Sequence, residues 1–141
     1  MTDEDAYHEI CAYTLTLGDA AFIHQHVVDA WAAQQATSAS KPIKVCFAVL
    51  GLYLHAEHGF TGREVQLAHM HLARAPEAWP VGPLPSARGD ITALQVLAAP
   101  PGAARDAMIS AWAGAVWSAY LDHRPAIDAM LRRRGVLRTH S

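Results

Sequence analysis

Nine histidines lie along the 141-residue chain, in the short clusters YHE, HQH, HAEH and HMH, with His123 and His140 apart from them. Neutral imidazole is the commonest metal ligand near neutral pH, so such clusters raise metal chemistry first. Spacing decides which of them can act together. Helical residues three or four apart share a face, whereas residues two apart diverge by about 200° around the axis. His24 and His26 therefore point to different sides of one helix, as do His69 and His71. His24 sits among Ala20, Val27, Val28 and Trp31, and His69 among Val65, Ala68 and Leu72, which puts both on apolar sides. The apolar line Ile43, Phe47, Leu50 and Leu54 reaches Glu57 one turn later. His24, Glu57 and His69 thus make a candidate three-ligand set for a divalent metal, zinc or iron, with one coordination position open. Glu9 could be a fourth ligand or hold a histidine from outside. If the site is catalytic, the reaction would use metal-activated water, with Asp29 or Glu9 as general base. His55 and His58 are i,i+3 but fall at a helix end, and His26, His71, His123 and His140 are expected to face solvent.

A second reading of the same residues involves no chemistry. Buried polar groups are normally paired, so His24, Asp29 and Glu57 could form a structural polar network in a core. The sequence carries neither HExxH nor the paired Glu-x-x-His of di-iron bundles; Asp5-x-x-His8 is a single approximate copy. G-x-S-x-G and phosphate-binding glycine loops are also missing from it. Cys11 and Cys46 form no CxxC pair, lie in apolar settings and read as reduced, unreactive thiols.

Helices must position these groups. Thr2 with Asp5 opens a first helix that Gly18 ends, and Ala6, Ile10, Tyr13 and Leu17 share one face of it. Asp19 caps a second helix over residues 20–35. Pro42 starts a third, stopped at Gly59, and the Thr61–Glu64 capping box starts a fourth that runs to Pro76. The segment PEAWPVGPLPSARGD, near residues 76–90, is too rich in proline and glycine for anything but a long loop. A short helix in ITALQVLAA, a long one from PPGAARDAM to YLDH and a last one from Pro125 complete the chain. Trp31, Trp112, Trp117, Tyr13 and Phe47 are core anchors, while Trp79 in the loop could cap the bundle or line a pocket mouth. No stretch alternates as a strand does. The expected fold is all-α: one domain over residues 1–141, a bundle of four to five main helices with a proline-rich strap.

Composition agrees. Hydrophobic residues make up 52% and charged residues 17%, which excludes a disordered chain. A net charge of −2 argues against nucleic acid, and LRRRGVLR reads as a solvated helix end that complements the helix dipole. The acidic start MTDEDAYHE is not a signal peptide, and VCFAVLGLYL is too short to cross a bilayer. A cytoplasmic protein without membrane partners is expected.

The stretches YHEICAYTLTLGDAAFIHQHVVDAWAAQ and KPIKVCFAVLGLYLHAEHGFTGREVQLAHMHLA, continuing through ITALQVLAAPPGAARDAMISAWAGAVWSAY, resemble a bacterial family catalogued as domain of unknown function 5946. The resemblance rests on Tyr7 and Glu9, on His24, Asp29 and Gln34 in one run, and on Glu57 to Gly59. It implies no activity, but it singles out Glu9, His24, Asp29, Gln34 and Glu57 as its polar pattern; Tyr7 and Gln34, with Trp79 chosen for its place in the loop, are the candidate pocket residues. Some similar proteins carry an added N-terminal cysteine-rich segment of zinc-knuckle type, whose role does not carry over to a chain starting at the first helix. Two readings follow: a His/carboxylate pocket for a divalent metal or small ligand, or an interaction module without chemistry, dimeric through AWAGAVWSAY.

Overall fold

Short polar residues set where the helices begin, and glycines set where several end. The computed structural model describes residues 1–139, so His140 lies outside the described residues. Among these residues the chain forms α1 (Asp3–Thr16), α2 (His24–Gln34), α3 (Pro42–His58), α4 (Gly62–Ala73), α5 (Ala93–Ala98), α6 (Ala103–Ala119) and α7 (Arg124–Arg133), with a 3-10 turn at Leu121–His123 and no strand. The all-α expectation holds, and the four to five main helices resolve into seven. The Thr2 hydroxyl accepts from the Asp5 N–H while the Asp5 carboxylate accepts from the Thr2 N–H, closing the first turn of α1. Thr61 with Glu64 does the same for α4, and Thr92 with Gln95 for α5.

The start of α2 corrects the sequence reading. The helix begins at His24, not residue 20, because Phe22 takes φ 50°, which a helix does not admit. Asp19 still acts as a cap, but of the turn: its carboxylate accepts the Ile23 N–H at 2.9 Å. That turn clamps α4, since Ala21 O accepts the Arg63 N–H at 2.9 Å and any Cβ at Gly62 would overlap the Phe22 carbonyl.

α3 lies between α2, α4 and α6, and its residues from Ala48 to Leu54 are all buried. Contact on several sides explains why VCFAVLGLYL has no polar face. α1 packs on α2 and α5. On α6 the large residues Trp112, Val116 and Trp117 enter the core. The small Ala115 receives the strap, whose Gly89 lies so close that an added Cβ would stand 3.1 Å from the Ala115 carbonyl group. The strap, residues 75–92, has no helix. Arg88 ties it to the carbonyls of Gln34 and Ala36, and Glu77 ties it to Arg133 and Arg134. No helix among the described residues is long and apolar enough to cross a membrane.

Candidate functional site

Two faces of α2 carry different chemistry. His26, Ala30 and Ala33 recur at helical spacing, are buried and, with Asp29 beside them, make one face. Alanines on a buried face let another helix approach closely. α3 does so in antiparallel register: His26 meets His55, and three residues later Asp29 meets Gly51. The other face carries His24 toward Thr14 and Trp31 toward Tyr7, both on α1.

His26 and His55 stack with ring centroids 3.6 Å apart and planes 21° from parallel. His55 Nδ1 lies 2.9 Å from the Phe60 carbonyl, which can only accept, so Nδ1 carries the proton and Nε2 of the neutral ring keeps a lone pair. His26 is 4% exposed, and its Nδ1 is buried with no partner. Burial pushes its pKa down to about 3; the neighbouring His55 adds to the shift and Asp19 partly opposes it. The ring is therefore neutral at physiological pH. Both imidazoles line a cavity of about 360 Å³ with Asp19, Ile23, Phe60, Thr61, Asp106 and Ser110. Lone pairs of near-parallel stacked rings run side by side instead of converging, so the pair is poorly shaped to chelate one ion.

One turn along the seam Asp29 is 3% exposed; it takes a 3.0 Å hydrogen bond from Gln25 and leaves Oδ2 without a partner. Burial raises its pKa well above the usual carboxylate range, more than the Gln25 bond lowers it. Gly51 is what makes room for this carboxyl on α3.

The residues selected from sequence are spread over separate contacts. Nδ1 of His24 donates to Thr14 Oγ1 at 2.9 Å, because the single hydroxyl proton is directed to the Ile10 or Cys11 carbonyl. His69 Nε2 donates to the Phe47 carbonyl at 2.8 Å and its ring stacks on Phe47. Burial lowers the pKa of both histidines. Glu57 accepts from Trp117 Nε1 at 2.7 Å and pairs with Arg124. The structure thus does not bring His24, Glu57 and His69 together: each already serves a different partner, and no group of three or more His, Cys, Asp or Glu among the described residues is placed to hold a metal. His24, Asp29 and Glu57 do not form one network either. Glu9 is exposed, and Tyr7 stacks on Trp31 at 4.6 Å. Trp79 stands edge-on to Phe47 and lines a different, open groove with Lys41, Pro42 and Ile43.

Gln34 is a strut. Its amide donates to the carbonyls of Arg88 and Ile91 and its oxygen accepts from Trp112 Nε1 at 3.0 Å, tying α2 to the strap and to α6. Gln34→Ala is expected to destabilise the fold by about 2 kcal/mol through the partners left unpaired. Urea unfolding measures this, and an unchanged midpoint would contradict the strut.

Two solvent-facing expectations need correcting. His26 is buried because the alanine face of α2, not the Val28–Trp31 side, meets α3. His123 is 7% exposed because the strap covers it, with Gly82 directly over Nε2. His71 is exposed, as expected. Both cysteines are free; burial raises the Cys11 thiol and pushes Cys46 up to about 12, in line with unreactive thiols.

Sequence phase missed His26, Asp19 and Asp106 as site residues. The signal that could have found the first was the alanine pair at 30 and 33, which marks the closely packed face. Asp106 is brought in by tertiary packing alone, held by a 2.7 Å hydrogen bond from the Tyr13 hydroxyl. No curated protein and no solved structure matches the chain. Residues 4–121, the segment containing α1 from its second residue, α2 to α6 and every residue lining the histidine cavity, match the family of unknown function DUF5946, and the chain belongs to that family.

Proposed function

We propose that this chain is a small-molecule-binding module whose ligand occupies the cavity walled by the His26–His55 stack. One contrast carries the reading. His24, His58, His69 and His71 each give a ring nitrogen to a protein partner. His26, nearly fully buried, lines a cavity of about 360 Å³ and leaves its buried Nδ1 without a partner. An unsatisfied buried polar atom costs about 1–3 kcal/mol. His123 under the strap carries that cost too, but only His26 shares its cavity wall with a second imidazole and two carboxylates. The cavity volume falls within the range of small-molecule sites, and its walls mix apolar surface with a few polar groups.

The histidine side-chain NMR signals test it. Members of a fragment library are expected to shift His26 and His55 saturably while leaving His71 in place. Ser110 is exposed on α6 at the cavity rim, so Ser110→Trp is expected to block those shifts without changing the unfolding midpoint. A library that leaves both signals unmoved would overturn the proposal.

A further inference from the structure

We infer that the ligand of this cavity is a small organic cation, an ammonium or guanidinium group on a short apolar body; the inference rests on reading the cavity as a binding site. The committed hydrogen bonds leave acceptors facing it. Asp19 spends one oxygen on the Ile23 N–H and Asp106 spends Oδ1 on the Tyr13 hydroxyl, so each carboxylate keeps a second oxygen. His55 spends its proton on Phe60 O, which leaves the Nε2 lone pair. The Thr61 hydroxyl accepts the Glu64 N–H and keeps its own proton to donate.

No lysine or arginine lines the cavity. Arg105, next to Asp106 in the chain, is turned to the carbonyls of Ala99 and Leu97 and to the face of Tyr13. His26 brings an uncharged ring and so adds no positive charge against the two carboxylates. The fixed charge on the wall is thus that of the two carboxylates, and positive charge on the ligand is favoured. Ile23, Ala21 and Phe60 supply an apolar wall. A hydrated metal ion would meet the same carboxylates, but it gains nothing from the apolar wall and finds no converging imidazoles.

Four probes on the wild-type chain separate the outcomes: n-butylammonium, 1-butanol, butyrate and Zn²⁺, each followed by the His26 and His55 NMR signals. Butylammonium is expected to bind at least about tenfold more tightly than butanol, as one charge-assisted hydrogen bond provides, with butyrate not binding. Asp106→Asn, which can still accept from Tyr13, is expected to lower the ratio of butylammonium to butanol affinity, and an unchanged ratio would count against the assignment. Saturable binding of butyrate, equal binding of butanol, or binding of Zn²⁺ alone would overturn the cation assignment while leaving the cavity a binding site. Silence from all four probes and from the fragment library would overturn both.

Discussion

Gly51→Ala is expected to destabilise the fold by about 3 kcal/mol, the upper range for overpacking a dense core. The sign is informative, because alanine is the better helix former by about 1 kcal/mol and would otherwise stabilise the middle of α3. The new Cβ would overlap Asp29 Oδ2 and come within 3.0 Å of Val65 Cγ1. Asp29 cannot swing away, being 3% exposed and held through Oδ1 by Gln25. Asp29→Ala removes the obstruction together with a carboxyl whose ionisation burial opposes. The double variant is therefore expected to recover at least about 1.5 kcal/mol relative to the sum of the single changes. Urea unfolding of the four proteins gives the coupling. A stabilised Gly51→Ala would mean that α2 and α3 do not meet as closely as the Asp29–Gly51 contact requires.

That contact also shows what the sequence could and could not disclose. Signals local to one turn were legible: the Thr2–Asp5 and Thr61–Glu64 boxes, Pro42 in the first turn of α3, Gly59 at its end, and the strap that proline and glycine keep out of any helix. Each depends on residues within a few positions of one another. The site depends on which face of α2 meets α3, and there the reading followed the bulky side chains. Trp31 and His24 do pack, but against α1; the face toward α3 is made of small residues because the helices nearly touch. A one-residue difference in phase moved His26 from solvent into the core. Glu57, read as an acid directed into the core, is exposed at the end of α3, and its partners, Trp117 and Arg124, are 60 and 67 residues away in sequence. No local spacing could name them. His123 fails for the same reason, since its burial comes from a strap whose path is set by Arg88, Glu77 and Gly89.

The buried stack makes stability depend on pH, with a sign that the two seam residues set against each other. In the unfolded chain His26 takes up a proton near 6.5, whereas in the fold it resists until about 3. Between these values the unfolded state binds more protons, so stability is full above 6.5 and falls as pH drops. His55 stacks on the ring from α3 and adds to the shift, while Asp19 favours the charged ring more weakly than burial and His55 oppose it. Asp29 runs the other way: unfolded, it ionises above about 4, but folded it keeps its proton, so its contribution falls as pH rises. Comparing wild type with His26→Leu isolates the histidine, because Asp29, His24 and His69 titrate in both proteins. From pH 7.5 to 5.0 wild type is expected to lose about 2 kcal/mol more than the variant. Urea unfolding at the two pH values measures the difference, and the ¹⁵N shifts of His26 should report a neutral ring down to about pH 4. Equal losses in the two proteins would mean that His26 charges freely in the fold. The wall of the cavity would then carry a cation of its own, and the preference for a positively charged ligand would fall with it.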